Sequence, residues 1–187
     1  MMSQVRLLAI VGMSGSGKSE IVSHLTEQGW AKVYFGGIIY KEMDKRGIEI
    51  TPDSQREFRE KIREEEGPDF VVKRAMDEAK NLIGAGQRRI VLDGVYSWTE
   101  YKILRKEFES DLITIAVITT KSIRYDRVAN RPDRPFTLEE IRQRDWTEIE
   151  NLEKGGPIAY ADYYIQNDGT IPETQAKLDE IIKTVLQ

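Results

Sequence analysis

The 187-residue chain contains no cysteine. Disulfides, thiol nucleophiles and thiolate metal sites are therefore excluded, which fits a reducing compartment. It contains one histidine, His24, on a segment that reads as a surface helix, so neither a zinc centre nor a Ser-His-Asp triad has its parts. No apolar run approaches the roughly 18–20 residues of a membrane span. The opening Met1-Met2-Ser3-Gln4 has no basic region or cleavage site and leads straight into an apolar segment. Excess positive charge is missing too. Net charge is −4, and basic and aromatic residues are not interleaved, which argues against nucleic acid as a partner. No Asn-Lys-x-Asp segment is present to read guanine. The expectation is a cytoplasmic monomer or small homo-oligomer with no membrane or nucleic-acid partner. With 40% hydrophobic residues the chain can bury one real core, so a single domain over 1–187 is expected.

What is present is more specific. Gly12-Met13-Ser14-Gly15-Ser16-Gly17-Lys18-Ser19 is Gly-x4-Gly-Lys-Ser, a complete phosphate-binding loop. Its glycines let the backbone curl so that successive N–H groups form an anion-binding nest, and the following helix adds its positive end. Lys18 can reach β- and γ-phosphates, and the Ser19 hydroxyl can ligate Mg²⁺. The context is right as well. The apolar run 5–11 reads as a buried strand, and 17–28 reads as a helix.

Strand and helix patterns alternate along the chain, which predicts an α/β fold with a mainly parallel sheet. Strands are expected at 5–11, 30–35, 89–93, 112–118 and 163–166, the second ending at Gly36-Gly37. Ser97-x-x-Glu100, Thr137-x-x-Glu140 and Thr170-x-x-Glu173 are capping boxes that open helices. Gly155-Gly156-Pro157 is expected to break the helix opened at Thr137. The stretch 38–85 is nearly all helical and too long for an ordinary crossover, so it reads as an inserted subdomain that covers the acceptor. Its run 56–66 reads as a solvated charged face, with Arg59 or Arg63 as alternatives for meeting an acceptor phosphate.

Three further constellations bear on chemistry. Asp93 ends a hydrophobic strand that belongs beside the first, where a carboxylate can hold Mg²⁺ or polarise an acceptor hydroxyl. Arg124, Arg127, Arg131, Arg134, Arg142 and Arg144 crowd between 124 and 144 with no lysine among them. Guanidinium groups suit the charge that phosphoryl transfer spreads over oxygen, and prolines 132 and 135 suggest a hinged lid over 124–153. Asn167-Asp168-Gly169-Thr170, after the last strand, reads equally as a nucleotide contact through Asn167 and as a plain turn with a helix cap.

With these residues in hand the chain resembles the nucleoside- and nucleotide-kinase branch of phosphate-loop proteins, and within it a family related to dephospho-CoA kinase and adenylate kinase. The resemblance spans nearly the whole chain. Besides the loop it rests on Ile-Arg-Glu-Glu-Glu-Gly-Pro-Asp (62–69), Val-Leu-Asp-Gly (91–94), Arg-Asp-Trp-Thr-Glu (144–148) and Ala-Asp-Tyr-Tyr-Ile-Gln-Asn-Asp-Gly-Thr (161–170). It implies a three-layer fold with a parallel five-stranded sheet, a helical acceptor-binding insert, an arginine-bearing lid and Mg²⁺-ATP as donor. It also implies that Arg127, Arg131 and Arg134 contact phosphates and that the turn at Asn167 lies near adenine. The activity implied is phosphoryl transfer to a small-molecule acceptor, with Lys18, Asp93, Arg127 and Arg131 as the catalytic set.

Two departures sit on the acceptor side. Relatives carry Gly-Asp-x-x-Arg after the second strand, where residues 36–40 are Gly-Gly-Ile-Ile-Tyr. They carry Asp-Gly-x-Arg after the third, where residues 93–96 are Asp-Gly-Val-Tyr. Tyr40 and Tyr96 stand where arginines are expected. A tyrosine can hydrogen-bond or stack, but it cannot neutralise a phosphate. The alternative reading is accordingly a nucleotide-binding regulator with weak or no transfer activity.

Overall fold

The computed structural model describes residues 4–95, 97–132 and 135–187, without the side chains of 52, 53, 56, 59, 60 and 63. Tyr96, Arg134 and the side chains of Arg59 and Arg63, all named above, lie outside the described residues. In chain order the elements are β1 (Arg6–Val11), α1 (Lys18–Glu27), β2 (Ala31–Tyr34), α2 (Phe35–Lys45), α3 (Pro52–Glu66), α4 (Phe70–Gly84) and β3 (Arg89–Asp93). Then come α5 (Trp98–Phe108), a short 3-10 turn (Glu109–Asp111), β4 (Leu112–Ile118), α6 (Lys121–Ala129), α7 (Leu138–Glu150), α8 (Gly155–Ala159), β5 (Tyr163–Gln166) and α9 (Ile171–Val185).

The strands form one parallel sheet in the order β2-β3-β1-β4-β5. Its central strand shows why the order works. Leu7, Ala9 and Val11 point into one core with Phe35, Met43, Phe70, Ala75 and Leu104, while Leu8 and Ile10 point into another with Ile21, Leu25, Leu178 and Ile182. A strand buried on both faces has no polar side to spare, and a parallel sheet covered by helices is the structure that accepts it. The sheet thus lies between α1 and α9 on one face and α2, α4 and α5 on the other. No helix among the described residues is long and apolar enough to cross a membrane.

The three capping boxes form as read, each with both reciprocal bonds. Two boundaries differ from expectation. β2 stops at Tyr34, and Gly36-Gly37 lie inside the first turn of α2 rather than ending a strand. Two helical glycines cost about 1 kcal/mol each. Phe35, Ile38, Ile39 and Met43 recur on one buried face and outweigh that cost. Gly155-Gly156-Pro157 does not simply interrupt the chain but begins α8. A side chain at Gly156 would meet the Trp98 ring at 2.7 Å, so glycine is what lets α8 lie against α5.

The 38–85 stretch is helical, and much of it belongs to the main body. Phe70, Val72, Ala75 and Ala79 of α4 and Phe58 and Ile62 of α3 all join the core beneath the sheet. The helix ends and strand ends that matter for chemistry gather where β1, β3 and β4 finish.

Candidate active site

The phosphate-binding loop joins the end of β1 to α1. Gly17, the residue before the helix, has φ 92° and no side chain to cap the helix, so no side chain occupies the N–H groups at the start of α1. A side chain at Gly17 would also collide with the Asn167 amide behind it. Asn167 is buried, its Nδ2 donates to Ser16 O at 2.8 Å, and its Oδ1 accepts from Thr174 Oγ1 at 2.6 Å. Thr119 Oγ1 lies 3.1 Å from the same Ser16 carbonyl. Both ends of the Asn167 amide are therefore engaged within the protein, bracing the loop from behind, a role that the sequence did not announce. Asp168, one residue on, is exposed, and its carboxylate accepts from the Thr120 N–H and hydroxyl at 2.8 and 2.7 Å.

Lys18 folds over the loop, donating from Nζ to Gly12 O at 2.8 Å and Met13 O at 3.0 Å. Its pKa is pushed down to about 8, first by burial and then by the nearby charge of Lys154, with Glu148 and Asp93 opposing. Ser19 is exposed at the start of α1. The Ser16 hydroxyl is buried with no hydrogen-bond partner among the described residues. An anion-binding nest, an uncapped helix end and a poised lysine together fit the β- and γ-phosphates of a nucleotide.

Asp93 finishes β3, in register with Ile10 of β1 and Tyr34 of β2. It is half-buried. Burial raises its carboxyl above the usual range, while Lys32 and then Lys18 pull it back. The acid and the loop lysine therefore feel each other across the ends of adjacent strands. Among the described residues no cluster of three or more His, Asp or Glu side chains could hold a metal. A cation here would take most of its ligands from phosphate and water, as Mg²⁺ commonly does.

The arginines separate into different roles. Arg127 lies beside the loop, its Nη1 3.9 Å from where a Gly17 Cβ would stand. Arg131 and Arg144 both lie over the Phe136 ring, at 4.6 and 5.4 Å from its centroid. Arg142 is exposed and pairs with Glu139 at 3.8 Å. Arg124 is not a lid residue in this arrangement. It is buried, makes a bidentate pair with Asp145 at 3.0 and 2.7 Å, and donates to Ser14 O at 2.8 Å.

Sequence reasoning missed the second grip on Ser14. Its N–H donates to Glu148 Oε2 at 3.1 Å, and Glu148 Oε1 takes Arg144 Nε at 3.2 Å and Lys154 Nζ at 2.8 Å. Glu148 is 3% exposed and Lys154 5%. The i,i+4 spacing of Arg144 and Glu148 was a usable signal. Lys154, a lone lysine before Gly-Gly-Pro, offered none.

On the acceptor side the Tyr40 hydroxyl donates to Gln55 Oε1 at a long 3.5 Å. Tyr34 packs its ring over the Gly36-Gly37 turn. A separate open cleft of ≈ 540 Å³ runs along α5 between Trp98, Tyr101, Arg105 and Tyr160, and no residue of the loop lines it.

Comparison with known proteins places this geometry. A family model described as an AAA domain matches residues 8–150, from the loop through α7. A UPF0200 protein of Thermococcus kodakarensis is 34% identical over 183 residues, covering 96% of this chain and 98% of the relative. The chain belongs to the UPF0200 family. Among solved structures, dephospho-CoA kinase from Campylobacter jejuni superposes with a TM-score of 0.59 at 14% identity, covering 97% of both chains. Shikimate kinase from Bacteroides thetaiotaomicron superposes with a TM-score of 0.61 at 10% identity, covering 95% of this chain and 98% of that one. At those identities the likeness establishes the fold. This UPF0200 chain has the three-layer α/β architecture of phosphate-loop kinases, with a five-stranded parallel sheet.

Proposed function

We propose that this protein is a kinase that transfers the γ-phosphoryl group of ATP to a hydroxyl or phosphate of a small-molecule acceptor. The observation that carries the reading is the phosphate-binding loop at the end of β1, with its uncapped helix start and Lys18, set beside Asp93 at the end of neighbouring β3. A phosphate-holding cation and a half-buried acid there share one electrostatic environment. The loop amides from Gly12 to Ser19 and Lys18 hold the β- and γ-phosphates. Ser19 would hold Mg²⁺, with Asp93 near enough in the strand order to support it through water, and the ion would supply charge neutralisation at the phosphates.

Asp93 takes the proton of the acceptor hydroxyl as its oxygen bonds to the γ-phosphorus, and the bond to the β–γ bridging oxygen breaks, leaving ADP. A carboxyl raised by burial suits that task better than an ordinary aspartate. Arg127, on α6, stands beside the loop and Arg131 follows just past the end of that helix, so both are candidates to bring guanidinium charge onto the transferring group. Asn167 serves this site as a brace for the loop. In this reading the acceptor is received at α2 and α3, which between them cover most of 38–66.

Isothermal titration of Mg²⁺-ATP and Mg²⁺-GTP into the wild-type protein tests the donor site, with micromolar or tighter ATP binding expected. No heat from either nucleotide overturns it. The altered acceptor side favours one competing reading, a nucleotide-binding regulator without transfer activity. A screen of nucleosides, nucleotides, hydroxy acids and dephospho-CoA with labelled ATP separates the two, because turnover on any acceptor eliminates the regulator.

A further inference from the structure

We propose that Lys154 is a second phosphate-directed cation of the donor site, and that Glu148 holds it and Arg144 in reserve until a nucleoside triphosphate displaces that hold. The inference rests on the reading of the loop as a nucleotide site and adds the residues that set its strength.

The argument is one of charge and place. Around Ser14 two ion clusters meet the loop. Arg124 and Asp145 cancel each other in a bidentate pair. The other cluster does not cancel. Glu148 Oε1 faces Lys154 at 2.8 Å and Arg144 at 3.2 Å, and its second oxygen is engaged by the Ser14 N–H at 3.1 Å. Lys18 adds a third cation, turned inward onto the carbonyls of Gly12 and Met13. Among the described residues, Lys18 thus feels two further cations, Lys154 and Arg144, and two carboxylates, the buried Glu148 and the half-buried Asp93.

Burying an ion pair as deep as Glu148–Lys154 gains little stability over an apolar pair, because desolvation offsets the attraction. Its location beside a nest for phosphate gives it another use. An arriving polyphosphate supplies the missing negative charge, and the cations can turn from carboxylate to phosphate over a short distance. The depression of the Lys18 pKa by Lys154 agrees with the two ammonium groups lying close together. Glu148 then acts as a brake: it keeps the empty site neutral enough to fold and competes with the ligand for its cations.

The test is titration of Mg²⁺-ATP into wild type, Glu148→Gln, Lys154→Met and Lys154→Arg, with a thermal melt of each sample. Lys154→Met is expected to weaken ATP binding by about tenfold or more, the scale of one charge-assisted hydrogen bond. Lys154→Arg keeps the charge and stays within about threefold of wild type. Glu148→Gln keeps an oxygen for the Ser14 N–H and releases both cations. It tightens ATP binding severalfold while lowering Tm.

Opposite signs for Glu148→Gln and Lys154→Met are the result expected. A purely structural pair weakens binding in both, and that outcome, or no change in either, overturns the proposal. If Lys154→Met does not fold, Glu148→Gln decides alone: tighter binding supports the proposal, and equal or weaker binding overturns it. A wild-type protein that binds no nucleotide fails at the donor site itself, a result distinct from wrong signs among variants of a protein that binds.

Discussion

The two sides of the site are built on different terms. On the donor side the loop's backbone carbonyls are largely held by side chains. Ser14 is held at its N–H by Glu148 and at its carbonyl by Arg124, Ser16 at its carbonyl by Asn167, and Gly12 and Met13 by Lys18. On the acceptor side no comparable brace is described around Tyr40, which reaches Gln55 at 3.5 Å, while Tyr34 lies over a Gly-Gly turn and the short ion pairs of α2 and α3, such as Lys41–Glu78 and Arg46–Glu65, lie among exposed or half-buried side chains. A site that holds the same triphosphate every time can be fixed in advance by buried contacts. A site that defines which molecule receives the phosphate depends on side chains that the ligand itself completes.

The largest expected effect is on the donor side. Lys18→Ala removes the one mobile cation of the loop, and turnover falls by about 10²-fold or more. The fold is kept, because Lys18 contributes hydrogen bonds to two carbonyls and no apolar contact to either core. Circular dichroism and a thermal scan beside the activity assay check both halves. A variant that loses Tm along with turnover would make Lys18 structural and erase the contrast between donor chemistry and donor scaffold.

Next comes the scaffold. Asp145→Ala leaves Arg124 buried without its bidentate partner beside the Ser14 carbonyl. Breaking such a pair costs about 3–5 kcal/mol. For a domain of this size that lowers Tm by roughly 6–20 °C. Differential scanning calorimetry reads it directly. A loss under about 1 kcal/mol would place the Arg124–Asp145 pair with surface ion pairs, despite its burial.

How much of this was legible in the sequence follows the same division. The loop, all five strands and three capping boxes could be read because each is local: a strand is a run of apolar residues, and a box needs two residues three apart. Arg124 could be seen but not placed. As a residue in an arginine-rich stretch it looked like a lid group, and only packing of α6 against α7 turns it inward onto Asp145. Asn167 had a motif that fitted two roles, and its burial chose the brace. Lys154 had no pattern around it. Its meaning depends on α8 lying against α5 through Gly156, a tertiary fact with no local signature. The glycines at 36 and 37 misled for a related reason. Alone they read as a turn, but burial of Phe35, Ile38 and Met43 overrode them.

A smaller effect sharpens the electrostatics of the donor side. Lys18 has a pKa near 8 in the folded chain against an ordinary 10.5 when unfolded. Between those values the unfolded state binds more protons, so this group makes stability rise with pH from about 8 to about 10.5. Below pH 8 both states are protonated and its contribution is flat at its least favourable level. The difference in Tm between wild type and Lys18→Met isolates it, and the wild type is expected to gain on the variant across that window. Affinity for ATP moves the other way, falling as pH rises above about 8 because the free site loses the charge that the phosphates need. Parallel curves for the two proteins would mean that Lys18 titrates as an ordinary exposed lysine.

The smallest effect is the one that reports on the acceptor side. Tyr40→Phe deletes a hydroxyl that approaches Gln55 at 3.5 Å, at the limit of a hydrogen bond. Stability is expected to change by less than about 0.5 kcal/mol and affinity for ATP not at all. If Tyr40 instead meets the acceptor, KM for that acceptor rises while kcat and the ATP constant hold, the pattern of a lost ground-state contact. The same substitution therefore separates two meanings of a tyrosine where the family resemblance predicts arginine. An unchanged KM on a working acceptor makes Tyr40 a space-filler that only reduces positive charge. A raised KM makes it a hydrogen-bonding reader of an acceptor group that needs no cation. In that case the half of the site around Tyr40 is the half that selects the substrate.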